Sequence, residues 1–243
     1  KESRTDTYTH TTQLFANYDI DLGRNGDHHL SVMAGVEDYY KHYEDIYASR
    51  DQFKISYYPY LSMGSTELMG AGVNNSPYEN AYVSVFGRVN YNYKSKYYAQ
   101  ANFRYDGSGR FKKGNRWGFF PSVSAGWVLT QEKFMEGARN VLSFLKLRAS
   151  YGQLGNDRIG NYPYQSTLSS NDPVGFVGSS SLVQALQGFS AYQMVLDDIT
   201  WETTETYDVG IDVNFLNDRL RITADYYKKT TRDMLILVDI PSY

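Results

Sequence analysis

The chain has 243 residues and a net charge of −3, from 24 Lys+Arg against 27 Asp+Glu; its basic residues are scattered, which excludes the electrostatic footprint of a nucleic-acid binder. It contains no cysteine, which removes disulfides, Cys-ligated zinc and thiol catalysis. Aromatics reach 16%, with 24 Tyr, yet no run approaches the ~20 apolar residues of a membrane-spanning helix, so any membrane crossing must be made by strands.

The first residues, "KESRTDTYTH", carry no apolar core of a secretory leader, which implies a removed leader or a start inside a larger protein. From there, period-two alternation marks eight stretches in chain order. Their apolar sides are Leu14, Ala16, Tyr18, Ile20; then Leu30, Val32, Ala34, Val36; then Val83, Val85, Gly87, Val89, Tyr91, Tyr93; then Tyr97, Ala99, Ala101, Phe103, Tyr105. Four more follow: Phe119, Val123, Ala125, Trp127, Leu129; Leu145, Leu147, Ala149, Tyr151; Tyr207, Val209, Ile211, Val213, Phe215; and Leu220, Ile222, Ala224, Tyr226. Strand side chains alternate faces, so the intervening residues share the reverse side, and that side reads as polar throughout.

A water-soluble sandwich alternates too, with its apolar face turned inward. The aromatics and the connections separate the two. Tyr18, Tyr91, Tyr93, Tyr97, Trp127 and Phe215 adjoin one class of connection, while Tyr105, Phe119, Tyr151, Tyr207 and Tyr226 lie toward the other ends. Small and aliphatic residues fill the space between, the layout of two aromatic girdles about an apolar band. Short connections at "GRNGD" (Gly23 to Asp27), "KSK" (Lys94 to Lys96) and "NDR" (Asn217 to Arg219) alternate with long ones, roughly Arg50 to Tyr78, Asp106 to Arg116 and Gly155 to Thr200. The exception, "QEKFMEGARNVLSF" (Gln131 to Phe144), falls on the short-turn side and reads as a brief helix, with Phe134, Val141 and Leu142 at helical spacing. The expected fold is all-β: a transmembrane antiparallel β-barrel, with about eight strands present and residues 1–243 all belonging to the barrel wall.

Catalytic motifs are weak. "DGSGRFKKG" (Asp106 to Gly114) lacks the spacing of a phosphate loop and has strand-like sequence on both sides, so a tight turn is expected. His10, His28, His29 and His42 show no metal-binding spacing, and His28 and His29 adjoin a turn where a solvated surface position suffices. No G-x-S-x-G elbow is present. The candidate functional residues are polar-face groups that would line a water-filled lumen: Arg88, Asn90, Gln100, Asn102, Arg104, Arg148, Asp208, Asp212 and Asp225. For the arginines, pairing with neighbouring carboxylates is the simpler role. Tyr57, Tyr58, Tyr60 and Tyr192, in the long connections, are candidate contacts for a solute or a partner protein.

Four blocks together, "RYDGSGRFKKGNRWGFFPSVSAGW" (Arg104 to Trp127), "FMEG…LSFLKLRASYGQLGNDRIGNYPY" (Phe134 to Tyr164), "WETTETYDVGIDVNFLNDRLRITADYYKKTTRDMLI" (Trp201 to Ile236) and "IPS" (Ile240 to Ser242), resemble the SusC/RagA family of TonB-linked outer-membrane transporters in the family's order. One departure is local: the family tends to read D-G-S-S-R-F-G where this chain has "DGSGRFKKG". The resemblance implies a 22-stranded barrel with an N-terminal plug, of which this chain would supply roughly a third of the wall, without plug, TonB box or terminal strand. It further implies import of a bulky nutrient, an oligosaccharide or peptide, across the outer membrane of a Bacteroidetes-type bacterium. The implied partners are outer-membrane lipid, a SusD-like surface lipoprotein and, through the plug, a TonB complex. No catalytic step and no cofactor are implied, although a loop-bound calcium is left open. Two other readings stand beside it: a self-contained eight-stranded outer-membrane barrel serving as adhesin, anchor or enzyme, and a secreted carbohydrate-binding β protein.

Overall fold

The computed structural model describes residues 2–23, 26–53, 57, 60–65, 72–161, 163–165, 168–169, 173–179, 182–187, 190–191 and 198–234, with backbone alone at 72–74, 168–169, 173–179, 182–187 and 190–191. In chain order the strands are β1 (Glu2–Leu22), β2 (His28–Ser49), β3 (Gly72–Asn75), β4 (Tyr78–Tyr93), β5 (Tyr97–Ser108), β6 (Trp117–Val128), β7 (Leu142–Asn156), β8 (Leu168–Ser169), β9 (Pro173–Ser179), β10 (Leu182–Gln187), β11 (Ser190–Ala191), β12 (Glu202–Phe215) and β13 (Leu220–Arg232). One antiparallel sheet runs β1-β2-β4-β5-β6-β7-β12-β13, with β3 paired to the end of β2; β9 with β10 and β8 with β11 form two small ribbons. Among the described residues β1 and β13 do not pair, so the sheet is open. Eight strands therefore do not close here into the self-contained barrel that the sequence left as an alternative.

The register turns eight separate alternating patterns into one surface. Ile20, Leu30, Tyr91, Ala99, Ala125, Ala149, Val209 and Tyr226 form a single row, each directly opposite the next. On the reverse side a second row reads Asn17, Met33, Arg88, Asn102, Ser122, Gly152, Thr206 and Lys229. Directly opposed residues share a face, so the alternation is coherent across the whole width. The apolar face is also uncovered: Val85 is 41% exposed, Val123 51% and Val209 59%. The accessible surface, 18143 Å², far exceeds the roughly 11,000 Å² of a compact globule of this mass. A two-layer sandwich, and with it the secreted β-protein reading, is not what this chain forms.

Aromatic rings edge the apolar band. At the short-turn end Tyr93, Tyr97 and Trp127 stack in file with centroids 6.2 Å apart at each step, and His28 sits 4.6 Å from Tyr93. His28 is thus part of the girdle, while His29 bonds Asp21 at 2.6 Å. Toward the long connections Tyr105 stacks on Trp117 at 4.8 Å and Tyr151 meets Tyr207 at 4.8 Å. The tight turns use left-handed backbone at ordinary residues: Lys94 and Ser95 in one, Leu216, Asn217 and Asp218 in another. Asn214 Nδ2 donates to Asp218 Oδ1 at 2.7 Å, which offsets part of that strain locally.

Three details depart from the sequence expectation. Leu129 leaves the strand for a 3₁₀ turn (Leu129–Gln131), and the helix expected over Gln131 to Phe144 is only a second 3₁₀ turn (Lys133–Ala138), with Leu142 already in β7. The run is interrupted at Glu132, whose backbone is extended (φ −78°, ψ 148°) and whose side chain is anchored: Oε1 accepts from Tyr97 Oη at 2.6 Å and Trp127 Nε1 at 3.2 Å, and Oε2 meets Lys96 Nζ at 3.5 Å. The polar face, finally, is not polar throughout. Phe86 lies over Gly35, where an added Cβ would come within 2.6 Å of the ring, and Phe120 fills the space above Gly118 and Gly155. Rings are accommodated on that side because the facing positions lack side chains.

A small core closes the long-connection end. Phe111, 0% exposed, clusters with Phe120 and Trp201, both phenyl rings lying just over 5 Å (5.3 and 5.2 Å) from the indole, flanked by Ile159 and Ile199. Trp201 Nε1 donates to the Arg116 carbonyl at 2.9 Å, Arg116 Nε to that of Phe111 at 3.0 Å, and Ser108 Oγ to Asp157 Oδ2 at 2.8 Å. The segment after Asp106 is therefore a folded-in anchor that binds β5, β6, β7 and β12 together, more than the tight turn its composition suggested.

Two outcomes follow from this packing. Phe111→Ala is expected to lower stability by about 3–5 kcal/mol, the range for deleting a buried ring, read by urea titration of tryptophan emission. The bonds from Tyr97 and Trp127, with Lys96 adding charge, hold the Glu132 carboxyl below the usual carboxylate range. A carboxylate so depressed contributes stability that is present above its unfolded value and lost as pH falls through the lowered one. Acid titration of Trp127 emission is expected to show one transition below the ordinary glutamate range that disappears in Glu132→Gln.

Candidate functional site

All nine polar-face candidates fall on one side of the sheet, and the structure sorts them into three bonded groups and one hollow. Toward the long connections Glu37, 8% exposed, accepts from Gln13 Nε2 at 2.9 Å and from Tyr82 Oη at 2.8 Å. Arg104 reaches this carboxylate at 3.8 Å, grips Asp106 through Nε and Nη2 at 3.3 and 3.1 Å, and lies 5.5 Å over the Phe86 ring. Beneath them Ser84, between Glu37 and Asp106 in the register, is wholly buried. At mid-strand, Arg88 Nε donates to Asn102 Oδ1 at 2.8 Å, Gln100 Nε2 to the same oxygen at 3.2 Å, and Asn102 Nδ2 to Ser122 Oγ at 3.0 Å.

The third group is the most closely bonded. Arg148 Nε and Nη2 donate to Asp212 at 2.7 and 3.1 Å, and Nη2 also reaches Asp225 at 2.9 Å; Thr223 Oγ1 donates to Asp212 at 3.1 Å. The fork geometry of guanidinium on carboxylate gives this pair direction as well as charge. Gly210, opposite Arg148 in the ladder, makes the reach possible, since a Cβ there would lie 2.8 Å from Arg148 Nη2.

Between these groups lies a hollow of about 500 Å³ lined by Asn90, Asn92, Tyr98, Gln100, Ser124, Lys146, Arg148, Ser150 and Asp208, beside a second of about 250 Å³ that adds Asn102, Ser122 and Thr206. Lys146 Nζ sits 4.8 Å over the Tyr98 ring. The face is thus a wall of amides and hydroxyls in which Arg104 and Arg148 are held by carboxylates while Arg88 and Lys146 carry charge without an ion pair among the described residues. Among the described residues no group of three His, Asp or Glu is placed to hold a metal.

Of the tyrosine candidates, Tyr57 is 90% and Tyr60 63% exposed; Tyr58 and Tyr192 lie outside the described residues. Sequence reasoning put Asp106 and Thr223 on the polar face without singling them out, and missed Glu37 and Tyr82. Their signal was parity: continuing the β2 alternation one step past Val36 puts Glu37 on the arginine side.

Arg148→Gln is expected to cost about 1–2 kcal/mol, a modest figure because both partners of the pair are roughly a third exposed. Adding Asp212→Asn in the same chain should recover part of that loss in a double-mutant unfolding cycle.

Comparison with known proteins extends the geometry. A family model described as "TonB dependent receptor-like, beta-barrel" matches residues 2–243. TonB-dependent receptor P3 of Formosa agariphila is 32% identical over 239 residues, 97% of this chain and 23% of that protein. TonB-dependent receptor SusC of Bacteroides thetaiotaomicron is 37% identical over 163 residues, 67% of this chain and 16% of that protein. The structure of the RagAB peptide transporter superposes with a TM-score of 0.84 at 29% identity, covering 98% of this chain and 25% of the matched one. The chain thus spans a quarter or less of the length of these relatives, which are receptors and transporters and not enzymes. With an apolar face and a polar face coherent over eight strands, and this match along nearly its whole length, the chain belongs to the TonB-dependent receptor β-barrel family of the SusC/RagA type.

Proposed function

We propose that this chain is part of the wall of an outer-membrane importer, in which the apolar face meets lipid and the polar face lines the lumen. The observation that carries the reading is the continuous exposed apolar face backed by a predominantly polar one. A closed barrel satisfies every backbone group in lipid, and an open sheet does not, so the two free edges call for further strands. By the resemblance these complete a 22-stranded barrel around a plug.

In this role Arg88, Asn90, Gln100, Asn102, Arg104, Arg148, Asp208, Asp212 and Asp225 are lumen-lining. The paired arginines stiffen the wall, and the amide-lined hollow offers weak, exchangeable contacts to a passing solute. The solute is an oligosaccharide or a peptide; the similar RagAB structure, a peptide transporter, favours the latter. Work is supplied through a TonB complex acting on the plug, and a SusD-like lipoprotein covers the outer mouth, where Tyr57, Tyr58, Tyr60 and Tyr192 are candidate contacts. The site is the outer membrane of a Bacteroidetes-type cell, consistent with relatives in Formosa and Bacteroides.

The test is uptake of labelled oligosaccharide and peptide pools by cells carrying or lacking the complete receptor. Accumulation is expected to need the receptor, an intact TonB complex and a SusD-like lipoprotein. Uptake unchanged by removing both receptor and TonB would overturn the assignment.

A further inference from the structure

The segment 129–141 carries none of the residues proposed to line the lumen. Tyr97 and Trp127 both project from the apolar face, so the Glu132 carboxylate they hold at 2.6 and 3.2 Å is tied down on that face, at its short-turn margin. The 3₁₀ turn Lys133–Ala138 begins at the next residue. Arg139 Nε donates back to the Thr130 carbonyl at 2.8 Å, which fixes the far side of the turn. What this bracing presents is apolar: Phe134 is 69% exposed, Val141 60% and Leu216 56%, the last two joined by a bond from Leu216 N–H to the Val141 carbonyl at 3.0 Å. Lys133, beside Phe134, is exposed as well.

We infer that this segment is an interfacial foot, in which Phe134 enters the headgroup–acyl boundary of the adjoining leaflet while Lys133 reaches lipid phosphates. The inference rests on the lipid-facing reading of the apolar face. Its occupant follows from continuity: Phe134 stands two residues beyond Glu132, which is bonded to Tyr97 and Trp127 of the aromatic file, where amphipathic rings mark the edge of the hydrocarbon. An aromatic next to a lysine is the pairing that lies in such a boundary, ring inward and ammonium in water. The foot is held by side-chain bonds to the girdle, so its depth is set by the barrel and not by its own six-residue turn.

The experiment places a nitroxide at Phe134→Cys in the complete receptor that carries this sequence, in a background without other cysteines, reconstituted in phosphatidylethanolamine/phosphatidylglycerol vesicles. Val209→Cys serves as the mid-band reference and Tyr57→Cys as the water reference, with collision measured against oxygen and against a nickel chelate. The label at 134 is expected to favour oxygen over the chelate, at a depth between the two references. A label at 134 as open to the chelate as that at 57, with 209 still in lipid, overturns the foot alone. A label shielded from both agents means a protein cover and overturns it too. Chelate access at 209 as well would take down the lipid-facing reading with it.

Discussion

A slip of one residue at any long strand pairing would turn arginines toward the side now held by valines, because the side-chain period of a strand is two. Every other feature depends on that register. It is specified redundantly, by aromatic files at both margins, by turns whose φ values are fixed at named residues, and by Arg148 reaching across two strand pairings to Asp212 and Asp225. Acting at both margins and at mid-strand, these devices together leave little freedom for a shifted ladder.

The pairing of rings with glycines is the second organising fact. Phe86 over Gly35, Phe103 over Gly87, Trp117 over Gly107 and Phe120 over Gly118 repeat one solution on both faces of the sheet. A glycine in a strand costs packing and entropy, and here the neighbouring ring supplies the missing contact. The same vacancy at Gly210 serves a charged group, giving Arg148 the space to lie flat across its neighbour.

The sequence displayed the apolar face almost completely, since valine, alanine and tyrosine at alternate positions leave few other arrangements. It was silent where both faces are polar. The outer part of β1 reads Thr5, Thr7, Thr9 and Thr11 on one side and Asp6, Tyr8 and His10 on the other, so no period appears, and the strand proved to begin at Glu2. The wall residues were legible as a class by parity, but their bonding was not, because which carboxylate an arginine takes depends on a register that only the paired strands fix. The buried cluster of Phe111, Phe120 and Trp201 was hidden for a similar reason: its members lie far apart in the chain, and the segment around Phe111 has the composition of a turn.

The unequal lengths of the strands carry one more implication. β1 and β2 have 21 and 22 residues, β5 and β6 only 12 each, a difference of about 30 Å at the usual rise of a strand. The upper margin of this sheet is therefore stepped, a tall palisade at one flank falling to a low sill at the other. The anchor of Phe111, Phe120 and Trp201 sits at the ends of the short strands, so packing between connections takes over there what the hydrogen-bonded ladder supplies along the tall flank.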